Sequence, residues 1–599
     1  MASIHKKLVN TAEKAVDDSI DGFVASSSGI TRLSNYRVIY RDDVDKIKDT
    51  QVTLLSGGGS GHEPAHAGFI GDGMLTCAVA GDIFASPSPA SILAGIRAIC
   101  GKAGTLVIVK NYTGDRLNFG IALETARSEG LKVDMVICGE DCAIEKKGKA
   151  GRRGLCGTLL VHKLAGAAAR QGRPLEEIVQ LAEKAIASMG TMGVALSACS
   201  LPGKPASFSL GSDEVELGLG IHGEAGARRD KLGSATEITQ ALINTIIGFG
   251  GSDGYMAMQG GEEVGLVVNN LGSTTTLELG IVAKAALDYL VNEKKLKVTF
   301  CAIGTLMTSL EMAGVSITLV RLWAGAADLL REPTRAPAWP HAAEHAPPLV
   351  RPYASASMEE FDCTYTAPTT SFGKTLAQAL RVASEAIIAA EPQLTEMDRI
   401  VGDGDCGLTL KEGASAILDA VTEPTCRAGH LKRMGFPEGL GLALDDPKEC
   451  ALGLSKVVQR AMGGTSGALY RIFFSAIARF LAGQEDRSPL GLAKALKSGW
   501  DAISKYGGAV VGDRTMVDAG APSAAALVAA LEAGKPLGDA LADAAAKADA
   551  GASATATMHA EAGRSSYISE DVIKGTCDPG AKAVALWMDA LRQVVAPSP

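Results

Sequence analysis

The chain has 599 residues, 47% of them hydrophobic and 21% charged, with a net charge of −9 at pH 7. That length exceeds one ordinary hydrophobic core, so two or more domains are expected. The acidic balance argues against nucleic acid as the main partner, since phosphate backbones need clustered Lys and Arg, and an anionic substrate would need a metal beside it.

The first residues, MASIHKKLVNTAEKAVDD, contain no apolar run, so no signal peptide is expected. No segment resembles a membrane span, and the closing VVAPSP is neither a retention nor a peroxisomal signal. A cytoplasmic protein is the expectation. The twelve cysteines form no C-x-x-C pair. Cys100, Cys199 and Cys301 sit in apolar runs, as buried thiols of a reducing compartment do.

Up to about residue 335, short apolar runs end in glycine-rich loops: 52–61, 105–115, 132–141, 265–272 and 298–305. Helical stretches such as PASILAGIRAICGKAG and LEEIVQLAEKAIASMG lie between them. This alternation predicts an α/β domain over 1–335 with a covered sheet, and sites beyond the strand ends. Residues 336–370 are proline-dense and aperiodic, a linker pattern. From 371 to 599 the sequence turns to long Ala- and Leu-rich periodic stretches, which predict an all-α domain.

Within the first domain, LLSGGGSGHEPAHAG (54–68) admits three readings. His62 and His66 fit the letters of a zinc-protease helix, but no third ligand follows at the required spacing. A Walker-type phosphate loop would need G-K-[ST], and His62 stands where Lys should be. The third reading is a substrate loop. Gly59, Ser60, Gly61 and His62 then lie at one strand end, with Lys110 and Asp115 at the next. His62 and Asp115 could share acid–base work on a hydroxyl there. Further on, GLGIHGEAG exposes His222 among Gly218, Gly220 and Gly223, with Glu224 near. A neutral imidazole is a competent nucleophile near pH 7.

In the second domain, Asp398, Asp403 and Asp405 fall within eight residues. An EF-hand fails here, since Gly407 and Ala414 occupy positions five and twelve counted from Asp403. Three hard oxygen donors suit Mg²⁺. GGTSGALYRIFF, with Gly463, Gly464, Thr465 and Ser466, opens an apolar helix and offers N–H groups to an anion. GDRTM (512–516) and CDPGA (577–581) are further polar loops between helices. Metal ligands and helix N-termini together imply a Mg-bound nucleotide.

The motifs GGGSGHEPAHAGFIGDGML, VKNYTGDRLNFG, AGRRGLCGT, ELGLGIHGEAG, MTSLEMAGVSITL, GDGDCG, MGGTSGALY, GDRTM and DPGA resemble the dihydroxyacetone kinase family, and the resemblance covers both domains in order, from about residue 5 to 590. Both domains on one chain look like its ATP-dependent form. Cys406 and the KAGRRGLCGT stretch look closest to the animal type that pairs triokinase with FMN cyclase activity. The stretch after Asp518 and GRSSYIS depart mildly from the family pattern.

The resemblance implies ATP-dependent phosphorylation of dihydroxyacetone, and of glyceraldehyde, with His222 holding the carbonyl as a hemiaminal. His62 and Asp115 would handle the hydroxyl proton. Gly59, Ser60, Gly61 and Lys110 would line the substrate pocket. Asp398, Asp403 and Asp405 would hold Mg²⁺. The nucleotide would meet Asp405, Cys406, Gly407, Leu408, Gly464, Thr465, Ser466, Gly507, Arg514, Thr515, Met516, Asp578, Pro579 and Gly580. The resemblance also implies an antiparallel helical barrel and a homodimer. Its alternative activity is FAD-AMP lyase chemistry at the same nucleotide site, with Mn²⁺ or Co²⁺ as possible metals.

Overall fold

A computed structural model describes residues 5–144, 151–224, 226–248, 255–340, 365–424, 429–433 and 440–595. The chain divides into two compact units, Met1–Val350 and Arg351–Pro599.

The first unit is α/β and contains two six-stranded sheets. Its strands in chain order are β1 (Ile30–Arg32), β2 (Val38–Arg41), β3 (Thr53–Ser60), β4 (Cys77–Ile83), β5 (Thr105–Lys110), β6 (Val133–Cys138), β7 (Met189–Ala195), β8 (Glu214–Leu217), β9 (Arg228–Lys231), β10 (Glu263–Asn270), β11 (Lys297–Gly304) and β12 (Gly314–Arg321). The first sheet runs β1-β2-β4-β3-β5-β6, with β4, β3, β5 and β6 parallel. β3 and β5 are buried at every residue, as strands covered on both faces are. The second sheet runs β11-β10-β12-β7-β8-β9 and is antiparallel except for β10 with β11. Helices such as Pro89–Ile99, Thr113–Ser128 and Leu175–Ala187 connect the strands of the first unit.

The expected linker begins later than residue 336. Ala336 is buried, the Ala338 N–H donates to the Gly68 carbonyl, and Trp339 stacks on Phe300 with centroids 6.2 Å apart. The proline-rich composition does not prevent packing, because a large aromatic there finds an apolar seat. Residues 341–364 of the expected linker lie outside the described residues.

The second unit is all-helical, as its periodicity predicts. Its eight helices of at least fifteen residues, among the described residues, are Ser371–Val401, Cys406–Ala420, Pro447–Ala461, Gly464–Ala482, Pro489–Gly507, Met516–Glu532, Leu537–Ala554 and Pro579–Val594. Three of them start from a cap followed by proline. Asp446, Ser488 and Asp578 each accept an N–H from the first turn, and Pro447, Pro489 and Pro579 follow with φ already suited to a helix. Each helix packs on the next and the last packs on the first, so the set closes into an antiparallel barrel. An apolar cavity of about 480 Å³, lined in part by Ile387, Phe474 and Trp587, fills its interior. One end of the barrel gathers the N-termini at Cys406, Gly464, Met516 and Pro579.

Candidate active site in two halves

In the first unit, β3 ends at Ser60 and delivers the glycine loop to the sheet's carboxyl edge, as its sequence suggests. Residues 62–66 are not a continuous helix, and the zinc reading fails. His66 is committed elsewhere, with its Nε2 2.7 Å from Lys110 Nζ. His62 is fully buried, and its Nδ1 lies 2.9 Å from the Thr308 carbonyl. A carbonyl only accepts, so Nδ1 carries the proton and Nε2 is the bare acceptor. That Nε2 has no partner among the described residues. Burial, then the Lys110 charge, then His222 hold the His62 pKa well below 6.5, so the ring stays neutral.

Lys110 ends β5 and Asp115 stands in the first turn of the following helix. Both side chains are buried beside Gly58. A Cβ there would lie 2.6 Å from Lys110 Nζ and 3.6 Å from Asp115 Oδ2. Burial raises the Asp115 carboxyl, with Lys110 opposing. Burial likewise lowers the Lys110 ammonium, with Asp115 opposing. Ser60 donates its hydroxyl to the Gly81 carbonyl at 2.8 Å.

His222 arrives from the second sheet, on the loop after β8. Gly218 and Gly223 flank it at φ of +74° and +71°, a conformation that favours glycine. Its N–H donates to Glu224 at 2.8 Å. Arg153 braces that carboxylate at 3.2 Å, donates to the Gly218 carbonyl at 2.7 Å and pairs with Asp141 at 2.6 Å. The His222 ring stands edge-on to His62, Tyr112 and Phe84, with centroids 4.9, 4.4 and 5.4 Å apart. Burial pushes its pKa down to about 4, with Glu224 opposing and Lys110 and Arg153 adding to the fall. Two neutral imidazoles, a carboxyl and an ammonium therefore share one pocket. Such a group can trap a carbonyl and accept a hydroxyl proton.

In the second unit, Asp398 lies in the last turn of Ser371–Val401, and its Oδ2 accepts the Cys406 N–H at 2.9 Å. Asp398, Asp403 and Asp405 offer oxygens within 4.8 Å of one another, the only such cluster among the described residues. Asp398 is buried and the other two are exposed. Their hard donor set fits Mg²⁺. Around them converge four helix N-termini, each with first-turn N–H groups that have no partner within the helix and a positive dipole end. Cys406 hydrogen-bonds Ser466 of the neighbouring terminus, and burial pushes its thiol up to about 12. Thr465 is exposed on the same rim, as is Leu408, and Gly507 ends the adjoining helix. Gly407 points at its neighbour helix, where a Cβ would meet Thr395 Oγ1 at 2.3 Å.

The GDRTM loop is held by a residue the motif reading left without a role. Asp518 is buried and accepts the Gly512 N–H at 2.6 Å and the Thr515 N–H at 2.8 Å. Arg514, at φ +62°, buries its guanidinium and donates to the Thr576 carbonyl at 2.7 Å. Its Nε and Nη1 have no partner among the described residues. Asp578 caps Ala581 at 2.7 Å, and burial pushes its carboxyl up to about 6, with Arg514 opposing. Gly580 meets the Met516 side chain across the rim.

Sequence reasoning also left out Phe84, Tyr112, Arg153 and Thr308. Arg153 and Tyr112 had a signal, since they lie inside the AGRRGLCGT and VKNYTGD motifs. Thr308 had one too, inside the MTSLEMAGVSITL stretch; Phe84 had none, because only the fold brings it to the pocket.

Residues 21–338 match the Dak1 domain and residues 438–593 the DAK2 domain. A Mus musculus protein named triokinase/FMN cyclase is 43% identical over 595 residues, covering 98% of this chain and 99% of its own. Dihydroxyacetone kinase 2 of Saccharomyces cerevisiae is 35% identical, covering 95% of this chain and 96% of its own. The crystal structure of the C. freundii dihydroxyacetone kinase in complex with AMP-PNP and Mg²⁺ aligns with a TM-score of 0.65 at 32% identity, over 98% of this chain and all of that one.

Proposed function

Because this chain belongs to the dihydroxyacetone kinase family, we propose that it phosphorylates dihydroxyacetone, and glyceraldehyde, at the expense of ATP. The observation that carries this reading is the pair of neutral imidazoles 4.9 Å apart, His222 and His62, with Lys110 and Asp115 at the same glycine loop. His222 adds to the substrate carbonyl and holds the triose as a hemiaminal. His62, with Nε2 bare, accepts the proton of the hydroxyl that takes the phosphoryl group, and Asp115 assists. Lys110 supplies positive charge next to the developing oxyanion. Glycerol has the hydroxyls and no carbonyl, so it escapes the trap.

The barrel rim binds and orients the nucleotide. Asp398, Asp403 and Asp405 would hold Mg²⁺, which supplies charge neutralisation on the phosphates. The N–H groups at Gly464–Ser466, with the 512–516 and 578–580 loops, would hold the phosphates and the nucleoside. Phosphoryl transfer needs the triose hydroxyl and the nucleotide brought together, within one chain or across the homodimer that we include in the reading. The free thiols of all ten described cysteines fit a reducing, cytoplasmic setting.

A second activity, FAD-AMP lyase, is favoured by the triokinase/FMN cyclase name of a relative similar over nearly the whole chain. FAD shares adenosine and pyrophosphate with ATP, and its cyclisation is intramolecular. It asks only for the barrel rim and a divalent metal, Mn²⁺ or Co²⁺ included. The test is ATP consumption with dihydroxyacetone, glyceraldehyde and glycerol in parallel, followed by FAD cleavage with each metal. Phosphorylation of glycerol as fast as dihydroxyacetone would overturn the carbonyl trap.

A further inference from the structure

Phe84 has no part in the roles above, yet its ring touches both catalytic imidazoles. It stacks on His62 with centroids 5.3 Å apart and planes 20° apart, and meets His222 edge-on at 5.4 Å. Its φ is +59°, a left-handed backbone that an aromatic residue adopts only where its surroundings over-determine it. Those surroundings are visible. The Phe84 N–H donates to the Ser60 carbonyl at 2.9 Å. A Cβ on Gly59 would stand 2.9 Å from Phe84 Cα, and one on Gly61 would stand 2.8 Å from Phe84 Cε1. Two glycines of the substrate loop therefore make room for Phe84, one for its backbone and one for its ring. The Tyr112 ring closes on His222 from another direction, at 4.4 Å.

We propose that Phe84 is a specificity-determining residue whose ring, with Tyr112, disfavours carbonyl substrates longer than three carbons. The inference rests on the carbonyl-trapping reading of His222. A substrate bonded to one imidazole and deprotonated by the other lies along the ring that touches both. An added CHOH unit meets an aromatic edge that cannot swing aside, because the backbone behind it is pinned against Gly59 and Ser60. The extra hydroxyl would also find no partner on that ring. Close packing transmits such a clash rather than absorbing it.

The test is steady-state kinetics of the full-length protein with dihydroxyacetone and with erythrulose, which is longer by one CHOH. Wild type, Phe84→Leu and Phe84→Ala are compared. In Phe84→Ala the ratio of kcat/KM for erythrulose over dihydroxyacetone should rise by about tenfold, the scale of one carbon in a tight pocket. The rise should come chiefly from KM, and Phe84→Leu should stay near the wild-type ratio. If Phe84→Ala does not fold, Phe84→Gly empties the same space and accepts the positive φ without strain. An unchanged ratio in a folded variant with normal ATP affinity overturns the proposal. So does an equal loss with both substrates, which would make Phe84 a positioning ring only. Wild-type turnover in His222→Ala would instead overturn the carbonyl trap on which the proposal stands.

Discussion

His162 offers a measurable consequence of building a neutral site deep in the first unit. It lies in the Thr158–Arg170 helix, fully buried, and neither ring nitrogen has a partner among the described residues. Its ring meets His66 edge-on at 5.1 Å. Burial, then the Lys110 charge, pushes its pKa down to about 3 from 6.5. The folded pKa is depressed, so the unfolded chain takes up a proton below about pH 6.5 that the native chain refuses. Stability is therefore intact above that pH and is lost as pH falls from 6.5 towards 3. At pH 5 this one residue costs about 2 kcal/mol relative to pH 8. His162→Phe keeps a planar ring, gives up no hydrogen bond and deletes the proton. Any packing change adds an offset that does not depend on pH. The assay is urea unfolding of both proteins at pH 8 and pH 5, with the transitions of the two units fitted separately. The variant-minus-wild-type difference should move by about 2 kcal/mol in the variant's favour on going to pH 5. The buried imidazoles of His62, His66 and His222 and the raised carboxyls of Glu63, Asp115, Glu140 and Asp141 are common to both proteins and cancel. A difference that is the same at both pH values refutes the reasoning.

Four further outcomes follow from the same geometry. Asp518→Ala strips the part-buried Gly512 and Thr515 N–H groups of their buried acceptor and should destabilise the barrel by about 1–2 kcal/mol while weakening ATP·Mg binding; an unchanged Tm and affinity would mean that the 512–515 loop is held otherwise. Asp403→Asn or Asp405→Asn should abolish nucleotide-dependent turnover yet leave triose binding intact, and calorimetry with each ligand separates the two. His222→Ala should end triose phosphorylation and spare any FAD cleavage, which ATP should inhibit competitively; lyase activity lost in that variant with the fold intact, or insensitive to saturating ATP, would sink the shared rim. Because the His222 pKa is pushed down to about 4, the nucleophile stays neutral from pH 8 to well below 6, and adduct formation by mass spectrometry should be flat there and fade only towards pH 4. A midpoint near 6.5 would contradict that environment.

How much of this was legible depended on the kind of signal. β3, β5, β6, β10 and β11 coincide with apolar runs that end in glycine; β3, β5 and β10 are buried almost throughout, and strands covered on both faces need no alternation to be recognised. β7, Met189–Ala195, carries three residues in seven without a large side chain and gives no strand signal, its first two residues closing the stretch LEEIVQLAEKAIASMG that reads as helix. It is a strand because β12 and β8 pair with it, a long-range fact. The mixed second sheet was illegible for the same reason. The barrel helices follow from a 3.6-residue period and cap-Pro starts, whereas their closure into a ring depends on which helix lies beside which.

The candidate sites of the two units were legible to different depths, and the physical cause is their charge. A metal and its phosphates demand carboxylates and free N–H groups, which cluster in sequence because adjacent turns and helix starts supply them. Asp398, Asp403 and Asp405 announce themselves. A carbonyl trap demands the opposite: imidazoles kept neutral by burial, which comes from residues remote in sequence. Thr308 fixes the His62 tautomer across 246 positions, and Arg153 braces Glu224 across 71. Phe84 closes on both imidazoles from a loop that carries no titratable side chain of its own at the ring. The glycines at 59 and 61 were the visible trace of it. A sequence records the space left for a neighbour more plainly than the neighbour, and the question such glycines pose is which residue occupies the room that they leave.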